Sequence, residues 1–334
     1  MSHDGLRAKI PFDLGTKKLT GFVAKEIARM SEYDWLRIRC PLCVTRLTVS
    51  DTELRCSKCG AFWSSEDGIV TFLEDSPEPS SPCFSAEVYE RLYRNENLGY
   101  FMYWGTVQAL QALLSRAYGF LSGLKTLDIG CGTGYALSRL REYGATVIGV
   151  DQSLTALRLA RKRGVDQLFR ASAERLPFED TQFDLVLSIH VYEHIEDDLS
   201  AMAEARRVLV PGGKHAVIVP AVRSLCSRCD EIQGHKRRYT RLELDQKLRG
   251  AGFHVDRITY LQPLLFLPAY IVRTMNRIVL PEEKGKVAAL KEYAMPPRAL
   301  NSLLKAALLL EARSLSKCDF PFGIALAAMA AKPG

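Results

Sequence analysis

The chain has 334 residues, enough to bury a sizeable core and more than one typical domain needs. Apolar residues make up 47% and charged residues 25%, the balance of an ordinary soluble globular protein, which argues against a disordered or fibrous chain. A net charge of +7 fits an anionic substrate, a nucleic acid or an anionic membrane surface without selecting among them. Residues 1–30 mix charges with short apolar runs and hold no continuous apolar signal core, so a cytoplasmic setting is expected.

Residues 1–34 read as a helical extension. Four of the nine cysteines then follow as Cys40-x-x-Cys43 and Cys56-x-x-Cys59. Each pair can form a knuckle that points two thiolates at one ion, and the intervening residues are enough for a hairpin joining the knuckles. Four thiolates in a closed tetrahedron suit structural zinc, with Pro41 and Gly60 placed for tight turns. Phe62-Trp63 and Ile69-Val70 offer the apolar cover that so small a module needs. The segment 35–74 resembles the zinc ribbons that occur as small activating partners of tRNA and protein methyltransferases and also fused ahead of methyltransferase domains. Two redox pairs are the competing reading. Cys226 and Cys229 form a third C-x-x-C without a partner pair, with loop, redox and auxiliary metal roles all open. The run Ser76-Pro77-Glu78-Pro79 marks 75–83 as a semi-rigid linker, and a second domain spans 84–334.

Phe84 to Ser122 is helical by composition, with Tyr89, Tyr93, Tyr100, Phe101, Tyr103 and Trp104 near its start, as site aromatics or as core. Leu124 to Ile129 then reads as a buried strand running into Gly130-Cys131-Gly132-Thr133-Gly134. Glycines let the backbone turn tightly and approach a ligand where a Cβ would clash. A helix is predicted from Tyr135 and a second strand over Thr146–Val150. Asp151 thus falls about 20 residues past the first glycine, where a carboxylate can accept both hydroxyls of a ribose. This is a β-α-β nucleotide unit, open at this point to a dinucleotide as well.

Further on come Ala171-Ser172-Ala173-Glu174-Arg175-Leu176-Pro177-Phe178, an apolar fourth strand Phe183–Ser188, and Glu193-His194-Ile195. A helix ending near Arg207 and Pro211-Gly212-Gly213 precedes a fifth strand, Ala216–Pro220. Over Leu124–Phe253 these ordered motifs resemble the class I S-adenosylmethionine-dependent methyltransferases, in the branch with the ubiquinone-pathway O-methyltransferases. The resemblance implies an α/β fold with a seven-stranded Rossmann-like sheet. It also implies S-adenosyl-L-methionine as cofactor, with Gly130, Gly132 and Gly134 against its methionine half. Asp128 would hold the methionine amino group and Asp151 the ribose, with Gln152 flanking. Relatives commonly carry an acid at the position of Ser172, so main-chain groups of Ala173 and Glu174 are the candidates for the adenine edge.

His190-Val191-Tyr192-Glu193-His194 matches H-x-x-E-H, but it leaves the end of a strand, which excludes the zinc-peptidase reading. The resemblance implies a divalent ion or an acceptor proton at His190, Glu193 and His194; a cap of the next helix is the alternative. After the fifth strand, Gly234-His235-Lys236-Arg237-Arg238-Tyr239 precedes a helix over Arg241–Gly250. His235, Arg238 and Tyr239 are candidates for an anionic or hydroxylated acceptor, with nucleic-acid phosphate or a solvated face as alternatives.

Strands are expected at His254–Tyr260 and Ile324–Ala331, paired antiparallel. The intervening insertion, 262–320, is far longer than a hairpin loop. Its apolar stretch Leu264–Leu280 is interrupted by Pro268 and Arg273 and too short to span a bilayer, while Leu300, Leu303, Leu304, Ala307 and Leu308 give a helical stripe. Packing on the sheet or on a second subunit would use these surfaces. So would a lid for a hydrophobic acceptor presented at a membrane, with Arg273, Arg277 and Arg298 toward anionic headgroups. The leading reading is methyl transfer to a small-molecule or lipid-linked acceptor, at oxygen. An RNA- or protein-directed enzyme and a cofactor-binding regulatory partner are the alternatives.

Overall fold

The computed structural model of the chain describes residues 35–49, 54–73, 85–225, 230–231, 233–279 and 294–334. The N-terminal extension, the linker and the Cys226–Cys229 pair lie outside the described residues.

The centre of the molecule is a mixed sheet. Strands β6 (Lys125–Ile129), β7 (Thr146–Asp151), β8 (Leu168–Arg170), β9 (Phe183–Ile189) and β10 (Leu209–Pro220) run parallel, and β12 (Ala325–Ala331) lies antiparallel between β10 and β11 (His254–Leu261). Helices cover both faces, so the inner strands are continuous apolar runs: Leu127, Ile129, Val186, Leu187 and Val217 are fully buried. The chain reverses direction across the sheet between β6 and β9, and a crevice opens beyond their carboxyl ends. Helix starts are set locally. Ser153 caps α4 (Leu154–Lys162) by accepting from Ala156 N, and Thr240 and Glu243 form a capping box at α6 (Arg241–Gly250). The other helices before the insertion are α1 (Ala86–Asn97), α2 (Phe101–Tyr118), α3 (Tyr135–Glu142) and α5 (Asp198–Val208).

The expected seven strands are nine. Ahead of the catalytic sheet stand three short antiparallel strands, β1 (Thr48–Val49), β2 (Leu54–Arg55) and β3 (Phe62–Trp63), which carry the cysteine knuckles. The next two, β4 (Ser65–Glu66) and β5 (Ile69–Thr71), leave that small sheet and extend the large one: β5 pairs parallel with β8, Val70 opposite Phe169. Of the two residues expected to cover the small module, Val70 does share a core with Leu47, Leu54 and Trp63, whereas Ile69 packs in another with Leu110, Leu137 and Leu157. Both go to the large sheet because the edge of β8 offers unpaired backbone groups that need partners.

The insertion holds two described helices, α7 (Pro263–Val279) and α8 (Arg298–Leu315). Pro268 lies inside α7 without ending it, at the cost of one backbone hydrogen bond. The ends of the insertion are pinned together. Ile324 N donates to Leu261 O at 3.0 Å, and a Cβ on Gly323 would lie 2.1 Å from the same carbonyl oxygen. Helix α8 packs along α2, where Asn301 accepts from Phe101 N at 3.0 Å and donates to Gly99 O at 3.1 Å. No helix among the described residues is long and apolar enough to cross a membrane.

Candidate functional site

A cavity of about 570 Å³ opens at the crevice, lined by the glycine loop, the ends of β6, β7 and β9, and residues of α1 and α2. Asp128 and Asp151 both face it. Asp151 accepts from Gly132 N at 2.8 Å and from Ser153 N at 2.9 Å, which fixes its carboxylate at the loop. Asp128 is buried, and its Oδ1 has no hydrogen-bond partner among the described residues. Burial and the nearby Asp151 push its carboxyl up from 3.8 to about 8. An acid so placed favours an incoming cation.

The three glycines differ in what they do. A Cβ on Gly130 would meet Val191 at 2.4 Å and one on Gly134 would meet Ala160 at 2.8 Å, so both are needed for packing. Gly132, at φ +52°, faces open space, and it is the position where a ligand can approach the bare backbone. Gln152, Ala173 and Glu174 line the cavity as expected. Ser172 does not, and its hydroxyl accepts from Glu174 N at 3.2 Å, so that amide is already engaged inside its own turn.

Sequence reasoning missed Glu96. On α1, it accepts from Thr133 Oγ1 at 2.5 Å and pairs with Arg163 at 2.6 Å, tying α1 to the glycine loop and to the end of α4. A lone acid on an amphipathic helix carries no signal for this. Of the aromatics, Tyr89 and Tyr103 line the cavity, whereas Tyr93 lies under Arg163 and Trp104 under Lys305.

The H-x-x-E-H segment is split by the fold. His190, at φ +56°, turns the chain out of β9 and holds Glu193 Oε1 at 3.1 Å from its Nδ1. Glu193 is fully buried and its Oε2 has no hydrogen-bond partner among the described residues. Glu193, His194 and His235 bring ligand atoms within 4.8 Å of one another. His235 thus takes the place expected for His190 in the cluster. Burial holds the His194 imidazole below its ordinary value, against the pull of Glu193. His190 and His194 both line the cavity.

The basic loop is corrected most. Tyr239 is wholly buried and donates to Asp198 Oδ2 at 2.6 Å, so it is a core residue and not an acceptor contact. Arg238 is buried on Asp230, Arg237 pairs with Asp198 at 3.0 Å, and Lys236 pairs with Glu196. Of these three cations only Lys236 reaches the cavity wall.

The four N-terminal cysteines converge as predicted. Their sulfurs lie within 4.8 Å of one another, with Cys43–Cys56 at 3.3 Å and Cys40–Cys59 at 3.7 Å. Tetrahedral zinc with ~2.3 Å bonds to sulfur sets sulfurs about 3.8 Å apart, so the donor set fits the ion. Leu42 N and Cys43 N point at Cys40 Sγ and Cys59 N at Cys56 Sγ, as thiolates require. Gly60 takes positive φ after the second knuckle and Val44 the matching position after the first.

With this geometry in place, the comparisons define a class first. Residues 127–217 match the family described as "Methyltransferase domain", and the glycine loop, both acids and the H-x-x-E-H segment fall inside that matched stretch. The chain is similar to ubiquinone biosynthesis O-methyltransferases. That of Brucella anthropi is 40% identical over 96 residues, 27% of this chain and 39% of that protein. That of Pseudomonas entomophila is 36% identical over 103 residues, 28% and 43% of the two chains. The chain therefore spans about two fifths of the length of the curated relatives it matches. Among solved structures, Haemonchus contortus phosphoethanolamine N-methyltransferase 2 in complex with S-adenosyl-L-methionine aligns at 19% identity and TM-score 0.47, covering 76% of this chain and 58% of that one.

The buried Asp128 has a measurable consequence. Because its folded pKa is raised, the ligand-free protein loses stability as the pH climbs from 3.8 toward about 8. Asp128→Asn should remove that loss, so its advantage in thermal midpoint over the wild type widens across this window and levels off above it. A pH-independent difference would show that the carboxylate is not strained.

Proposed function

We propose that the chain is an S-adenosylmethionine-dependent methyltransferase acting at oxygen on a small-molecule or lipid-linked acceptor. The observation that carries this reading is the pair of acids at the cavity. Asp128 offers an unpartnered, buried oxygen to an ammonium group, and Asp151 is held by main-chain amides at the loop where ribose hydroxyls would sit. Ser172 does not line the cavity, and Glu174, which does, offers an acid on the side expected for adenine. When bound, the cofactor supplies an electrophilic methyl group on a sulfonium. Tyr89, Met102 and Tyr103 wall the cavity and exclude water, and alignment with desolvation is what such a transfer needs most. His194, kept neutral by burial, is the group suited to take the acceptor's proton. In the alternative role, Glu193, His194 and His235 are the residues that would hold a divalent ion, which would then replace His194 as the group acting on the acceptor hydroxyl; Glu193 offers it a buried oxygen with no hydrogen-bond partner among the described residues. The pairing of Lys236, Arg237 and Arg238 with acids leaves the loop poorly suited to grip RNA, which favours the small-molecule reading.

The insertion supports an acceptor delivered from an anionic membrane surface. Leu264, Leu267, Ile271 and Met275 are each about half or more exposed along α7, which packs on the turn Arg223–Leu225 just beyond β10. Residues 262–320 carry nine Lys and Arg against five Asp and Glu, more than half of the chain's net charge of +7. Exposed apolar surface with surplus cations is the composition of an interfacial helix.

Calorimetry should show that the protein binds S-adenosylmethionine and that Asp151→Ala weakens binding by at least about tenfold, the scale of lost charge-assisted hydrogen bonds. Undiminished affinity in that variant would remove the cofactor assignment. In flotation, vesicles rich in anionic lipid should carry the wild type upward, and Leu264→Ser, Leu267→Ser, Ile271→Ser together should abolish this. Wild type that stays at the bottom of the gradient would refute the membrane contact.

A further inference from the structure

The cysteine module does not stand apart from the cofactor cavity: each of its two knuckles sends one arm to one end of the adenine-side segment. From Cys40, the arm Arg37–Arg39 runs antiparallel to the chain after the cavity. Arg39 N donates to Pro177 O and Glu179 N to Arg37 O, both at 3.0 Å, and the Gln182 side-chain amide exchanges two bonds with the Arg37 backbone at 2.6 and 2.9 Å. From Cys59, the arm Phe62–Phe72 reaches the strand before the cavity. Thr71 lies opposite Arg170, Phe72 N donates to Arg170 O at 2.8 Å, and Trp63 packs on Phe72 with ring centroids 5.4 Å apart. Between these two anchors lie Ala171, Ala173 and Glu174, which line the cavity. Ile38, Leu47, Leu54 and Trp63 also share one core with Phe169, Phe178 and Phe183.

We infer that the four-cysteine metal centre positions the adenine side of the cofactor cavity, by cross-linking the two arms that bracket residues 171–176. A tetrahedral ion fixes the two knuckles relative to each other, hence the two anchors, hence the span between them. Without the ion, the arms keep their own anchors but are tied to one another only through the small sheet β1–β3 and the shared apolar core, and the bracketed segment gains freedom that a ligand must then remove on binding. The inference rests on the zinc and cofactor readings above. The protein becomes metal-responsive in cofactor affinity, although no cysteine of the module lines the cavity.

The test measures metal content and S-adenosylmethionine affinity on the full chain, together with hydrogen exchange of peptides spanning 171–176. Cys56→Ser, Cys59→Ser should lose zinc, bind the cofactor at least about tenfold more weakly and exchange faster over 171–176, with 125–151 unchanged. Cys59→His, which keeps a tetrahedral donor set, should restore both readouts. Gln182→Ala leaves all four cysteines intact and removes the two side-chain hydrogen bonds that help anchor one arm; it should keep its zinc and still bind about threefold or more weakly. This variant decides the matter if the double serine variant does not fold. Affinities within twofold of wild type in Gln182→Ala and in the metal-free variant, with unaltered exchange, would overturn the coupling. A wild type that binds cofactor but no metal would sink the zinc reading and the coupling with it; one that holds zinc but binds no cofactor would sink the cofactor reading instead.

Discussion

Much of this structure depends on a carboxylate that the fold buries without a partner. Asp128 sits on the central strand of the sheet, next to the strand that ends in Asp151, and burial, with the nearby Asp151 adding to it, makes its carboxyl hard to ionise. A ligand that brings positive charge into the cavity would relieve Asp128, while Asp151 already accepts from Gly132 N and Ser153 N. The expense in stability is borne by the apolar strands around them, Leu127, Ile129, Ile148 and Val150 among the fully or almost fully buried residues. The glycine loop follows from this arrangement, because Asp151 can be held by Gly132 N only if the chain turns back tightly over the end of β7.

The second constraint is the edge of the sheet. A parallel sheet that stopped at β8 would expose unpaired backbone on the adenine side of the cavity. The cysteine module supplies β5 and β4 to that edge, and Arg158 adds salt links to Glu66 and Asp67. What looks in sequence like an appended module is therefore part of the wall behind the site. At the opposite edge, β11 closes the sheet against the antiparallel β12, and the insertion between these two strands lays α8 on α2, which itself lines the cavity.

The features legible in the sequence were those set by short-range patterning. The strand–glycine–helix–strand run, the acid at the end of the second strand and the spaced cysteine pairs each encode their geometry within a few turns of chain, and all appear where they were expected. The departures are long-range. Strands β4 and β5 span only two and three residues, too short for any periodicity to announce them. His235 joins Glu193 and His194 from 41 residues away, and nothing in the H-x-x-E-H spacing points to it. Tyr239 follows a run of cations that reads as surface, yet its hydroxyl finds Asp198 in the core and its ring is buried with it. Glu96 likewise depends on Thr133 and Arg163, contacts between segments that only the folded chain brings together.

The central claim is methyl transfer from a bound sulfonium cofactor to the hydroxyl of a small-molecule or lipid-linked acceptor. It is tested most directly by incubating the protein with methyl-labelled S-adenosylmethionine and a fractionated cell extract, then separating lipid, RNA, protein and small metabolites. The account predicts base-stable label, as expected of an ether, in the organic-soluble fraction, dependent on His194. Label confined to RNA or protein, or label in no fraction although the cofactor binds, would contradict it.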